Sequence, residues 1–195
     1  MFTLSTHGPF DIPMKNVLNW GGKEKEYINS ALYADRCIYN FLETAKKKPW
    51  YKNTLFVFVP DHSHNSPRNW SFNEPNYRRI PMVFYGDVVR SEYKGFRYKK
   101  VCSQIDIAAT LLNQLEIDAS DFRYSKNLFN PGTPEFAYYA FDEGFGWIRP
   151  GAHMVYQVRQ NRIEHEKVNG ETERQKLIRE GKAWLQVMTD EYWKF

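Results

Sequence analysis

Three side chains able to hold a cation or take up a proton fall within four residues: Asp61, His62 and His64. A carboxylate and two imidazoles offer hard oxygen and borderline nitrogen, a donor set suited to Zn or Mn. They follow residues 54–59, TLFVFV, an unbroken run of β-branched, aromatic and aliphatic side chains closed by Pro60. Such a run reads as a strand covered on both faces, the pattern of a parallel sheet in an α/β protein. Pro60 removes a ladder donor and ends the strand. In open α/β sheets ligands bind beyond the carboxyl ends of strands, which is where these residues stand. A polar turn with solvated histidines is the plainer alternative. Three such groups at one strand tip favour a metal or anion site.

The elements around that tip can be read from period and punctuation. Residues 23–48 carry Tyr27, Ala31, Ala34, Ile38, Phe41, Leu42 and Ala45 at helical spacing, one apolar stripe stopped by Pro49. Within it Cys37 reads as a small core residue and Asp35 as a structural hydrogen-bonding carboxylate. Residues 65–79 form a polar, turn-rich rim, in which Arg68 and Trp70 either face a polar substrate or cover a sheet edge. A second strand spans 80–85. Ser103 is the expected N-cap of a helix over 104–115 lined by Ile105, Ala108, Ala109, Leu112 and Leu115, with Asp106 favouring the helix dipole. Strands at 136–141, 147–148, 154–158 and 162–168, with short connections, predict an antiparallel meander. His153 reads as a turn residue and His165 as a surface residue. Residues 171–193 are a last amphipathic helix with Leu177, Trp184, Leu185, Met188 and Tyr192 on its apolar side. No repeat, low-complexity linker or domain boundary is evident. The predicted fold is α/β with an antiparallel extension.

Residues 53–64, NTLFVFVPDHSH, resemble the "NTLFVFVADHG" stretch of the sulfatase and phosphoglycerol transferase (lipoteichoic acid synthase-like) branch of the alkaline phosphatase superfamily. Further segments follow in the family's order: STHGPF at 5–10, YADRCIYNF at 33–41, RIPMVFY at 79–85, SQIDIAATLL at 103–112 and FDEGFGWI at 141–148. Ser63 stands where the family has glycine, and Ala109 where it has proline. The resemblance implies the C-terminal half of an alkaline phosphatase-like sandwich, with a parallel sheet core, an antiparallel C-terminal meander and a terminal helix. Residues 1–195 would then be a partial sulfatase-like catalytic domain. The family's nucleophile segment lies N-terminal to all of these pieces and has no match here, so the expectation is a chain beginning inside a larger domain.

By the same resemblance Asp61 and His62 are metal ligands. His7, with His64 and Arg68, contacts the substrate's phosphate or sulfate, and no catalytic nucleophile is present. The implied cofactor is a divalent metal, Mn first, with Zn or Ca as alternatives. The implied chemistry is hydrolysis or transfer of a sulfate or phosphate ester on a lipid head group or glycan. The parent domain is expected in the cell envelope, periplasmic or extracytoplasmic, reaching the membrane only through upstream segments. This chain alone is expected to be inactive. A non-catalytic fragment with weak metal or anion binding, a water-based hydrolase using His62 and His64, and a carbohydrate-binding module using exposed Trp and Tyr are the competing readings.

Composition sets limits. At 195 residues the chain is long enough for a real core, and 42% hydrophobic with 17% aromatic residues argues against wholesale disorder. The net charge of +4 is mild. Basic runs at 46–48 and 99–100 make no stripe interleaved with exposed aromatics, so no nucleic-acid partner is expected. Two cysteines, Cys37 and Cys102, give no disulfide framework. No stretch reaches the length of a membrane span and no signal peptide precedes the first motif, so the chain itself reads as soluble.

Overall fold

The computed structural model describes residues 3–64 and 68–194. They fall into two compact units. The first comprises residues 3–58, 68–69 and 83–95, and the second comprises residues 59–64, 70–82 and 96–194.

In the first unit a 3-10 turn leads into α1, Lys25–Ala45. Asn29 is fully buried on this helix and anchors the incoming chain. Its Oδ1 accepts from Val17 N (2.9 Å) and Leu18 N (3.0 Å), and its Nδ2 donates to Leu18 O (3.0 Å) and Lys25 O (2.8 Å). All the hydrogen-bonding capacity of a buried amide is thereby used. The expected stripe is only half covered: Phe41 is 46% exposed, and Cys37 and Asp35 lie on the exposed side. Neither is therefore the core or structural residue expected. The 21-residue helix turns its apolar side chains over a wider arc than one neighbour covers.

The strand after α1 is shorter than its apolar run. β1 is Phe56–Phe58 and pairs antiparallel with β2, Val83–Tyr85, as Phe56↔Tyr85, Val57↔Phe84 and Phe58↔Val83. The expected central strand of a parallel sheet is thus corrected to one strand of a two-stranded antiparallel pair. An apolar run reports burial; the direction of its neighbour depends on how the chain returns, which the run does not encode. Burial here is aromatic. Phe56 lies within 5.9–6.5 Å of the rings of Phe41, Trp50, Tyr51, Phe58 and Tyr85.

The second unit holds α2 (Pro75–Arg78), α3 (Asp106–Gln114), strands β3 (Ala137–Phe141), β4 (Gly144–Arg149), β5 (Ala152–Gln157) and β6 (Arg162–Lys167), and α4 (Glu171–Tyr192). The four strands pair in sequence order, all antiparallel. Phe145, Trp147, Met154 and Tyr156 point to one face and close a core with Phe136, Ala152 and Leu177 of α4. Gly144 and Gly146 point to the other face. A Cβ at Gly146 would come within 2.0 Å of the Tyr139 ring, so a glycine pair that reads as a breaker in fact extends β4 beyond residues 147–148. His153 sits inside β5 and is half-buried, not in a turn. Tyr192, expected on the apolar side of α4, is 71% exposed.

Helix α3 also starts differently. Ser103 makes no side-chain cap. Asp106, fully buried, accepts Ser103 N at 2.8 Å and forms an ion pair with Lys126 at 2.9 Å. It stands in the first turn of α3 as expected, and is buried and paired there. At the ends of the expected α3 stripe, Ile105 and Leu115 are exposed. No helix among the described residues is long and apolar enough to cross a membrane.

Candidate metal-ligand site

Asp61 and His62 occupy a bend directly after Pro60. Asp61 folds back on the next residue: its Oδ1 accepts His62 N at 2.9 Å. The bend thereby uses one carboxylate oxygen and leaves Oδ2 facing the imidazole, 3.7 Å from His62 Nε2. Both side chains are at least half exposed.

Three neighbours within the second unit support the bend. Gln104 reaches back from just before α3 and donates from Nε2 to Pro60 O at 2.5 Å and Asp61 O at 3.3 Å. Tyr77 of α2, almost fully buried, lays its ring parallel to that of His62, with centroids 5.8 Å apart. Ser63 donates its hydroxyl to Tyr77 O at 2.5 Å. Helix α2 is in turn fastened to the meander. Tyr139 Oη donates to Asn73 O at 2.5 Å, Asn73 Nδ2 donates to Glu164 at 3.2 Å, and the Arg78 guanidinium lies 5.3 Å from the Tyr139 ring centre. A two-residue bend thus rests on a four-stranded sheet through side chains that already have partners, as a preorganised site requires.

The donor pair fits a shared cation. Bonds of about 2.0–2.2 Å from metal to nitrogen or carboxylate oxygen let one ion join two atoms up to about 4 Å apart. Two donors are not a full shell, and among the described residues no three His, Cys, Asp or Glu side chains gather into a metal-holding group. Asp61, His62 and His64 therefore do not converge as three ligands. His64 is half-buried and lies beyond the bend. His7 and Arg68 are exposed and belong to the first unit, where His7 Nδ1 is 2.7 Å from Gly8 O. Ser66, which with Ser63 supplies the hydroxyls nearest the motif in sequence, lies outside the described residues. Tyr77 and Gln104 escaped the sequence reading. Gln104 stands in the SQIDI segment and carries some signal by its place there, whereas nothing in NYRR marks Tyr77.

The sulfatase family model matches residues 3–117, more than half of the chain and including Asp61, His62, Ser63, Tyr77 and Gln104. The chain belongs to the sulfatase family. Among curated proteins, this sulfatase-family chain is 26% identical over 144 residues to lipoteichoic acid synthase 2 of Bacillus subtilis, covering 63% of the chain and 21% of that protein. It is 24% identical over 150 residues to lipoteichoic acid synthase of Staphylococcus aureus, covering 68% and 23% respectively. The chain therefore spans between a fifth and a quarter of the length of these relatives. A solved structure of an alkaline phosphatase superfamily protein from Vibrio parahaemolyticus superposes with a TM-score of 0.64 over 85% of this chain and 42% of that one, at 20% identity. That likeness establishes an alkaline phosphatase-type fold for this member of the sulfatase family.

Proposed function

We propose that this chain carries the late metal ligands of an enzyme that hydrolyses or transfers a sulfate or phosphate ester, with Asp61 and His62 as those ligands. The observation that carries the reading is the Asp61 Oδ2–His62 Nε2 pair, 3.7 Å apart within the segment matched by the sulfatase family model. A divalent cation, Mn before Zn or Ca, supplies charge that polarises the ester oxygen. The chain's own residues do the holding. Asp61 gives Oδ2, its carboxylate held through Oδ1 by the backbone N–H of His62, and His62 gives Nε2. His7, His64 and Arg68 are assigned to the anionic ester.

No described side chain is assigned as nucleophile. A hydroxyl nucleophile needs an adjacent base, and Ser63 donates to a carbonyl oxygen, which takes no proton. The proposed chemistry takes its nucleophile from outside this chain. The lipoteichoic acid synthase relatives support an envelope-polymer precursor as substrate. The phosphoglycerol-type lipid head group or glycan, the extracytoplasmic setting and membrane attachment through other segments rest on the family resemblance.

The test has two arms. Titration with Mn²⁺ is expected to show weak binding to the wild type and none to the Asp61→Ala, His62→Ala double variant. Equal binding by both overturns the ligand assignment. Aryl phosphate and aryl sulfate esters, supplied with Mn²⁺, Zn²⁺ or Ca²⁺, are expected to give no turnover with this chain alone. Metal-dependent turnover that Asp61→Ala abolishes would replace this reading with a water-based hydrolase that needs no protein nucleophile. Absence of both Mn²⁺ binding and turnover leaves the non-catalytic reading.

A further inference from the structure

Ser63 and Tyr77 close a ring of contacts on His62. The Ser63 carbonyl oxygen is 2.8 Å from His62 Nδ1, Tyr77 Oη is 3.2 Å from the same nitrogen, and the Ser63 hydroxyl donates to the Tyr77 carbonyl at 2.5 Å. The Tyr77 ring lies within 21° of parallel to the imidazole, and Phe72 packs edge-on against it at 5.0 Å. Tyr77 is only 7% exposed, so its ring has little room to turn.

The chemistry of these atoms fixes a proton. A carbonyl oxygen only accepts hydrogen bonds. An unprotonated Nδ1 at 2.8 Å would set one lone pair against another. Nδ1 therefore carries hydrogen and donates to Ser63 O, and the Tyr77 oxygen takes a second share of it. A neutral imidazole has one N–H, so Nε2 presents its lone pair, on the side where Asp61 Oδ2 stands. The hydrogen bond at one ring nitrogen decides what the other can do.

We propose that Tyr77 and Ser63 are positioning residues that hold His62 as the Nδ1–H tautomer with Nε2 turned toward Asp61. Their importance for metal binding rests on the reading of His62 as a ligand; the tautomer does not. Ser63 stands where the family resemblance places glycine. A glycine there keeps the carbonyl but lacks the hydroxyl that ties residue 63 to Tyr77. The serine is thus a tether, which accounts for a hydroxyl beside the ligands that has no base of its own.

The experiment uses the full 195-residue chain labelled with ¹⁵N at histidine, without metal, near pH 8, where an ordinary histidine is neutral. Long-range proton–nitrogen spectra of His62 are expected to show a protonated Nδ1 and a bare Nε2 in the wild type. Tyr77→Phe, which keeps the ring, and Ser63→Ala, which removes only the hydroxyl, should each move the signals toward a mixture of tautomers. Each should also weaken Mn²⁺ binding about tenfold, the lower end of such effects. A wild type dominated by the Nε2–H form, or unchanged His62 signals in both variants, overturns the proposal. If Tyr77→Phe does not fold, Ser63→Ala decides alone. Should the wild type bind no Mn²⁺ while the tautomer behaves as described, the ligand reading falls and the positioning role stands.

Discussion

Asp106 has no solvent exposure, and both of its carboxylate oxygens are fully engaged. Oδ2 accepts Ser103 N at 2.8 Å and Lys126 Nζ at 2.9 Å; Oδ1 accepts Lys126 N at 2.9 Å and Nζ at 3.0 Å. The Lys126 ammonium also sits 4.0 Å above the Phe136 ring. One buried carboxylate thus fixes the start of α3, where Gln104 leaves to hold Pro60 and Asp61. Lys126→Met keeps the length and the apolar contact but removes the counter-charge. Breaking a buried pair from one side typically costs about 3–5 kcal/mol, and the urea unfolding midpoint should fall accordingly. A loss below about 1 kcal/mol, typical of surface pairs, would show that the pair does not carry this load. The first-turn position of Asp106 is legible in the sequence, whereas its partner lies twenty residues away and nothing local announces it.

Helix α4 shows how an element is shaped by what it packs on. Gly181 lies in its middle and is buried. At an exposed helix position, replacing glycine by alanine gains about 1 kcal/mol. Here the added methyl would meet Phe145 Cε2 at 2.3 Å. Phe145 is itself fully buried between the rings of Tyr138 and Tyr156 and has nowhere to go. Overpacking of this kind costs about 1–3 kcal/mol, so the sign should reverse. Gly181→Ala is expected to lower thermal stability, whereas a gain would mean that β4 and α4 can separate without cost. The same strand explains why the meander was legible in outline and short in detail. Its aromatic residues Phe145 and Trp147 recur at the strand period, while Gly144 and Gly146 read as punctuation until Tyr139 is seen lying over the second of them.

Across the molecule the buried apolar side chains are unevenly shared. The first unit has Ala45 and Tyr51; the second holds the cluster around Phe145, Trp147, Met154 and Tyr156. Stability against acid should therefore be read mainly from the second unit. Within it His153 is half-buried, and burial, then Lys167 and His165, push its pKa below the ordinary histidine value. A histidine depressed in the folded state binds its proton more readily when unfolded. Stability then rises with pH across that interval and falls as pH drops from about 6.5 toward the folded value. His153→Gln should flatten the pH dependence of the unfolding midpoint below about pH 6.5 and leave that dependence unchanged at pH 8. A slope unaltered by the substitution would assign the acid sensitivity to other groups.

The sequence by itself determined the pieces whose signals are local. Period and punctuation gave α1, the four-stranded meander and α4. The run of ordered motifs gave the family and pointed to Asp61 and His62. Pairing direction was beyond it, because the apolar run at 54–59 encodes burial and not which way its neighbour travels. So were the exposed faces of Cys37, Asp35 and Tyr192, since a helix displays its stripe whether or not something covers it. The supports of the candidate site, Tyr77 and Gln104, come from fifteen and more than forty residues away. Only the tertiary structure brings their hydrogen-bonding atoms to His62 and Asp61, because the chain must fold back before these groups can meet.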